Sequence, residues 1–172
     1  SFGQLAKATA EKLAGFNCDI VAADPYVEAD EMAALGVEKV PLDELLETAD
    51  HVSVHAPLTD ETRHLFDRDA FRKMSETAVL VNVGRGPIVS EEALVWALEN
   101  DEIAAAGLDV LEEEPLTDSP LADRDDVILT PHTAFYSEES LTDLNEHIGH
   151  DILSVFDDAE PAGYIDPEAD WL

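Results

Sequence analysis

Ala78-Val79-Leu80-Val81-Asn82-Val83-Gly84-Arg85-Gly86-Pro87 is the stretch that decides the fold. Residues 78–83 are nearly all apolar, and the run stops at a turn bounded by glycines. A short apolar run that ends this way reads as a strand buried on both faces, the environment of a parallel sheet with helices above and below it. Working outward, His51 to His55 is a second strand, ended by Pro57, and Asp67 to Met74 reads as the helix between the two. Downstream, Ser90 caps a helix running to Asn100 with Glu91 and Glu92 in its first turn. Ile103 to Val110 and Val127 to Thr130 read as two further strands.

The same alternation runs toward the N-terminus. Leu5 to Leu13 carries a helical apolar face, and Cys18 to Ala23 is a strand stopped at Asp24-Pro25. Asp30 to Leu35 is a short helix closed by Gly36, and Pro41 to Thr48 is another, with Leu42, Leu45 and Leu46 as its stripe. From Ser137 a long helix runs to about Asp157, followed by a polar, proline-containing tail. Strand and helix alternating in this way predict an α/β protein with a doubly wound parallel sheet. Ligands of such sheets sit at the carboxyl ends of the strands. The polar residues at those ends are Asp24, His55, the Gly84-Arg85-Gly86 turn, Asp109 and His132.

Charge narrows the classes of partner. Nine Lys and Arg face 40 Asp and Glu, a net charge of −31 over 172 residues. Such a chain repels nucleic acid and anionic membrane surfaces. Hydrophobic residues at 45% still supply a core, and the acids are spread along the chain rather than gathered in a tail. The pattern is that of an acidic, solvated surface adapted to concentrated salt, which screens self-repulsion. No apolar run approaches the roughly 20 residues needed to span a bilayer. The single Cys18 cannot pair internally, which fits a reducing, cytoplasmic compartment. His147 and His150 share a helix face at i, i+3, but no third ligand accompanies them and no metal site is expected.

Ser1-Phe2-Gly3-Gln4-Leu5-Ala6 fits the pattern G-x-G-x-x-G/A with Ser1 in the first position. Gly3 would let the backbone approach a pyrophosphate, and the helix starting near Gln4 and Leu5 would aim free N–H groups at it. Asp24, 21 residues after Gly3 and beside Pro25, ends the next strand, where a carboxylate binds ribose hydroxyls and disfavours a 2′-phosphate. Loop and acid together predict a Rossmann-type dinucleotide-binding domain that takes NAD (NADH) rather than NADP. The strand expected before the loop, normally central in the sheet, is not in the sequence.

The remaining motifs carry chemistry. Asn82-Val83-Gly84-Arg85-Gly86-Pro87-Ile88-Val89 places an arginine between two glycines at a strand end, where it could grip a carboxylate with both arms. Gly107-Leu108-Asp109-Val110 runs into Glu112-Glu113-Glu114-Pro115, in which two of the three glutamates read as solvated surface. Thr130-Pro131-His132-Thr133-Ala134 ends the last strand. A cation for a carboxylate, a proton donor and a hydride source are what reduction of a 2-keto acid needs.

In order and spacing, these motifs resemble the D-isomer-specific 2-hydroxyacid dehydrogenase family from Ser1 to about Ser140. Within it, Thr130-Pro131-His132-Thr133-Ala134-Phe135-Tyr136-Ser137-Glu138 resembles the C-terminal-binding-protein subgroup, which typically has Trp where Phe135 stands. The resemblance implies that Arg85 binds the carboxylate and carbonyl oxygen of a small 2-hydroxy or 2-keto acid. It makes His132 the general acid/base and Glu114 the residue that orients it and favours its protonated form. It places Asp109 on the nicotinamide side, and His55, Ala56, Pro57 and Thr62 along the cofactor, with Val83, Gly84 and Ala134 also near it. Glu114, where related formate dehydrogenases carry Gln, disfavours formate as substrate. The resemblance further implies a homodimer and a second, substrate-binding domain. Residues 1–135 are therefore expected to be the NAD-binding domain without its first strand, and residues 136–172 a helix and tail returning toward a substrate domain mostly absent from the sequence. The alternative functions are an NAD(H)-sensing module of the C-terminal-binding-protein type, or a catalytically incomplete unit acting only in cofactor binding or dimerisation.

Overall fold

Helix and strand alternate from Gln4 onward in a computed structural model that describes residues 1–115 and 118–166. The first unit, residues 1–132, contains α1 (Gln4–Leu13), β1 (Ile20–Ala22), α2 (Ala29–Ala33), β2 (Val37–Lys39), α3 (Leu42–Thr48) and β3 (His51–Val54). It continues through α4 (Arg68–Phe71), β4 (Val79–Asn82), α5 (Glu91–Glu99), β5 (Ala105–Leu108) and β6 (Val127–Leu129). Every strand pairing is parallel. One sheet has the order β1-β2 and the other the order β3-β4-β5-β6, so the strands form two sheets rather than one continuous one. This parallel, helix-flanked arrangement is Rossmann-like.

Local chemistry explains the boundaries. Asp67 caps α4 by accepting the N–H groups of Asp69 and Ala70 at 2.9 Å. That helix ends at Phe71, sooner than its apolar spacing predicts, because Lys73 and Met74 turn back onto Ala70 and Phe71 through i→i−3 bonds. Ser90 caps α5 by accepting from Ala93, as its sequence position predicts. The strand predicted from Cys18 starts at Ile20, because Asn17 takes a left-handed conformation (φ 54°) where the 3₁₀ turn Ala14–Phe16 ends. The strand β2 was not expected from the sequence. Gly36 at φ +73° turns the chain after α2, and Val37, Glu38 and Lys39 then pair with Ile20, Val21 and Ala22.

The core lies on one side of the larger sheet. Val52 and Val54, Leu80 and Asn82, and Ala106 and Leu108 are buried, as are Phe71, Ile88, Leu94 and Ala97 from the segments that cover them. The opposite residues of the same strands, Val79, Val81, Ala105 and Gly107, are half-buried and line an open groove with the exposed Ile128. The expectation that β4 is buried on both faces therefore holds fully for one face only. Its apolar composition overstates burial because a half-covered face still selects Val and Ala. A smaller core joins Phe2, Ala6 and Ala10 to Ala22, Met32 and Val37. It seats α1 on the shorter sheet and brings the N-terminal loop to the end of β1.

The second unit, residues 133–172, is built on α6 (Glu138–Phe156), capped by Ser137 accepting from Ser140 at 3.0 Å. Asp151 accepts the N–H of Ala162 at 2.9 Å and folds the following turn onto the helix. The last part of the predicted tail, residues 167–172, lies outside the described residues. Among the described residues, no helix is long and apolar enough to cross a membrane.

Candidate functional site

The carboxyl ends of the strands in the first unit carry Asp24, His55, the arginine turn, Asp109 and His132, and short contacts tie Asp109, His132 and Glu114 together. At the end of β1, Asp24 is buried and its two oxygens are shared among four donors. Oδ2 accepts Ser1 Oγ at 3.0 Å and the Phe2 N–H at 2.7 Å. Oδ1 accepts the N–H groups of Tyr26 at 2.8 Å and Val27 at 3.2 Å. Burial works against its charge, but the N–H groups of Phe2 and Tyr26 and the Ser1 hydroxyl outweigh it and hold the carboxyl below the usual aspartate range. Asp24 thus clamps the loop to the strand end, a role its sequence position does not reveal.

The N-terminal loop leaves the start of α1 open. Gly3 is the N-cap of α1, no side chain caps that helix, and no acid stands in its first turn. Gly3 has φ −76°, which any residue adopts, and a Cβ built there meets nothing within 4 Å. Neither backbone strain nor internal packing demands glycine, so what its missing side chain keeps clear is the space before the helix N–H groups. Gln4 and the side chain of Leu5 are exposed beside it.

At the end of β3, Ala56 is buried and Pro57 exposed. The His55 Nε2 pairs with Ser53 Oγ at 2.9 Å, while its Nδ1 is buried without a hydrogen-bond partner. Burial lowers the pKa of this imidazole. A buried, unpaired ring nitrogen at a strand end suits a ligand that supplies the missing partner. Thr62 turns inward: its Oγ1 donates to Pro57 O at 2.6 Å and accepts the Thr59 N–H at 2.8 Å, closing the loop that follows.

The arginine turn is held by Asn82, which the motif reading passed over. Its buried side chain donates to Arg85 O at 3.0 Å and accepts the Gly84 N–H at 3.0 Å. A fully buried amide ending an apolar strand is the signal that could have found it. A Cβ on Gly84 would lie 3.2 Å from Ala56 O, so this glycine lets the turn approach the end of β3. A Cβ on Gly86 would overlap the backbone of Leu111, which locks the arginine turn against the acidic loop. Val83 is half-buried beneath the turn, and Arg85 is exposed, its Nη1 donating to Gly84 O at 2.9 Å.

The third group joins β5, the acidic loop and the segment after β6. The Asp109 N–H donates to Asn82 O at 3.0 Å, and Asp109 Oδ1 accepts Thr130 Oγ1 at 2.6 Å. The His132 N–H donates to Asp109 O at 2.9 Å, and its backbone sits at φ +53°, left-handed for a non-glycine residue. Its Nδ1 meets Glu114 Oε2 at 2.7 Å, and Glu114 Oε1 accepts the Leu111 N–H at 3.0 Å. The hydrogen bond from His132, with that from Leu111, holds the Glu114 carboxyl below the usual glutamate range. Glu113 is exposed, but Glu112 is half-buried and engaged with Glu91, which corrects its reading as solvated surface. Ala134 falls in the second unit, where it is exposed. Among the described residues, His147 and His150 included, no group of three or more His, Cys, Asp or Glu side chains could hold a metal ion.

Residues 1–134 match the family described as D-isomer specific 2-hydroxyacid dehydrogenase, NAD binding domain. The chain is 39% identical over 167 residues to a glyoxylate reductase of Korarchaeum cryptofilum, covering 96% of this chain and 50% of the relative. It is 41% identical over 150 residues to a D-3-phosphoglycerate dehydrogenase of Mycobacterium bovis, covering 85% of this chain and 28% of the relative. Among solved structures, the NAD-complexed D-isomer specific 2-hydroxyacid dehydrogenase of Lactobacillus delbrueckii ssp. bulgaricus superposes with a TM-score of 0.86 at 29% identity, over 96% of this chain and 54% of that one. The chain thus spans half or less of the length of these curated relatives.

Proposed function

From a chain that belongs to the D-isomer-specific 2-hydroxyacid dehydrogenase family and is its NAD-binding domain, we infer a protein that interconverts a D-2-hydroxy acid and the corresponding 2-keto acid. NAD, when bound, supplies the hydride acceptor or, reduced, the donor. The uncapped start of α1 with Gly3, Asp24 and the strand-end segment His55-Ala56-Pro57 would hold it. Gln4, Leu5, Pro25, Thr62, Val83, Gly84 and Asp109 would line the same site.

The observation that carries the reading is the hydrogen bond between His132 Nδ1 and Glu114 Oε2. An ionised carboxylate on Nδ1 fixes the proton there and leaves Nε2 to exchange a proton with the substrate oxygen. His132 Nε2 takes the hydroxyl proton during oxidation and returns it to the carbonyl oxygen during reduction. Arg85, exposed at its clamped turn, would anchor the substrate carboxylate through its planar guanidinium.

The relatives' names, glyoxylate reductase and D-3-phosphoglycerate dehydrogenase, point to a small acid as substrate. The wider reading includes a homodimer, a cytoplasmic setting and adaptation to high salt. It also takes residues 1–135 as the cofactor domain and residues 136–172 as a segment returning toward a substrate domain. The test is NADH oxidation with glyoxylate in molar salt by the full-length protein. His132→Gln should reduce turnover by about 10²–10⁴-fold while NADH affinity, read by fluorescence titration, persists. Turnover untouched by that substitution refutes the assignment.

A further inference from the structure

The acidic loop carries a second glutamate that the proposed chemistry leaves without a task. Glu112 Oε1 accepts the Glu91 N–H at 2.7 Å, and Glu91 Oε1 accepts the Glu112 N–H at 2.8 Å. Two acids 21 positions apart thus satisfy each other's backbone. The Glu91 N–H is the first of α5, where a carboxylate also meets the favourable end of the helix dipole. The same Glu112 oxygen lies 3.3 Å from His64 Nε2. His64 is itself fixed, with its N–H on Pro87 O at 2.8 Å in the arginine turn and φ at +53°.

The consequence runs directly into the His132 pair. Leu111, whose N–H holds Glu114 Oε1, immediately precedes Glu112. Bonds to the backbone and the carboxylate of Glu112 hold the loop immediately after Leu111, and so restrict the residue whose N–H meets the Glu114 carboxylate. Nothing else in the composition favours bringing two carboxylates together in a chain of net charge −31, where like charges repel. Surface glutamates that served solubility alone would stand apart.

We propose that Glu112, seated on Glu91 and His64, is a positioning residue that holds the Glu114 carboxylate in register with His132. It also ties the loop after β3, the arginine turn and the acidic loop into one unit. This rests on the His132–Glu114 pair acting as inferred above, so the experiment reads the pair and Glu112 separately.

The full-length protein, labelled with ¹⁵N-histidine, is examined for a low-field imidazole N–H proton resonance and assayed with NADH and glyoxylate. In the parent protein the resonance should be present and should vanish in His132→Gln. Glu112→Ala should lose or shift it and lower kcat about tenfold, with KM for NADH within about twofold. Glu112→Gln keeps an acceptor for the Glu91 N–H and should restore both. A resonance and kcat unchanged in Glu112→Ala overturn the proposal while leaving the pair intact, and so does a Glu112→Gln protein as impaired as the alanine variant. If the parent lacks the resonance, or His132→Gln retains both it and turnover, the pair itself fails and the proposal falls with it. Should Glu112→Ala lose its circular dichroism, His64→Ala removes the same carboxylate's other contact, and parental signals there overturn the proposal.

Discussion

Glu114 holds His132 with one carboxylate oxygen, at 2.7 Å from Nδ1, and the Leu111 N–H with the other, at 3.0 Å. Both bonds favour the ionised acid, with His132 the larger contribution, so the carboxyl titrates below the ordinary glutamate range. The sign follows: a pair that depends on this charge persists as pH falls past about 4.3, the unperturbed value, and is lost only below it. Glu114→Gln keeps an acceptor for Nδ1 but removes the charge. It is expected to lower kcat for keto-acid reduction about 10–100-fold. Steady-state kinetics at neutral pH check this, and a kcat equal to the parent's would show that the charge is idle.

Gly86 meets the backbone of Leu111 where any Cβ would overlap it. Gly86→Ala must therefore push the arginine turn and the acidic loop apart, with a stability cost of about 1–3 kcal/mol. Turnover should fall more steeply than stability, because Arg85 and Glu114 both ride on the displaced segments. Gly3→Ala is the matching control, since position 3 has open space and an ordinary φ. Urea unfolding of the two variants separates them, and equal midpoints would contradict the packing argument.

Asp24 accepts four hydrogen bonds in a buried setting. Its folded pKa lies below the unfolded one, so the stability it confers is present above about pH 3.9 and disappears as pH falls through the lowered folded value. Asp24→Asn, which offers one acceptor oxygen, should cost about 1–3 kcal/mol at pH 7. The difference between parent and variant should narrow toward pH 3. Denaturant unfolding at the two pH values decides, and a constant difference would assign the effect to packing instead of charge.

Salt should matter to the whole chain. Lys7, Arg68, Arg72, Lys73 and Arg124 each already face a carboxylate, and exposed pairs of this kind add only about 0–1 kcal/mol apiece. They leave most of the 40 acids to be screened by ions. The melting temperature is expected to rise from dilute buffer to molar KCl. An unchanged value would remove the case for adaptation to salt.

Much of this architecture is legible in the sequence, because it is written in local signals. Ser90, Asp67 and Ser137 are caps, Pro25 and Pro57 follow strand ends, and the apolar period separates strands from helices. His132, Glu114, Asp109 and Thr130 were expected at neighbouring strand ends, and hydrogen bonds link them there. What stayed hidden depends on pairing over distance. The strand Val37–Lys39 has one buried residue of three, too little for a pattern. The Glu91–Glu112 exchange spans 21 positions, and its glutamates look like any others on an acidic chain. Asp24 stands where the sequence predicts a ribose-binding acid, and what its geometry shows is a carboxylate bracing the N-terminal loop.

Position 3 has a consequence for anyone who would engineer or screen this domain. Because glycine there answers to no demand from the chain itself, folding reporters such as expression level or protease resistance should rank Ala or Ser at that site beside the parent. Under the cofactor role proposed for Gly3, only a readout that includes the dinucleotide would see the damage. The N-terminal loop is thus where a library selected for robustness alone would drift without warning, and where a thermostable clone should be checked for cofactor first.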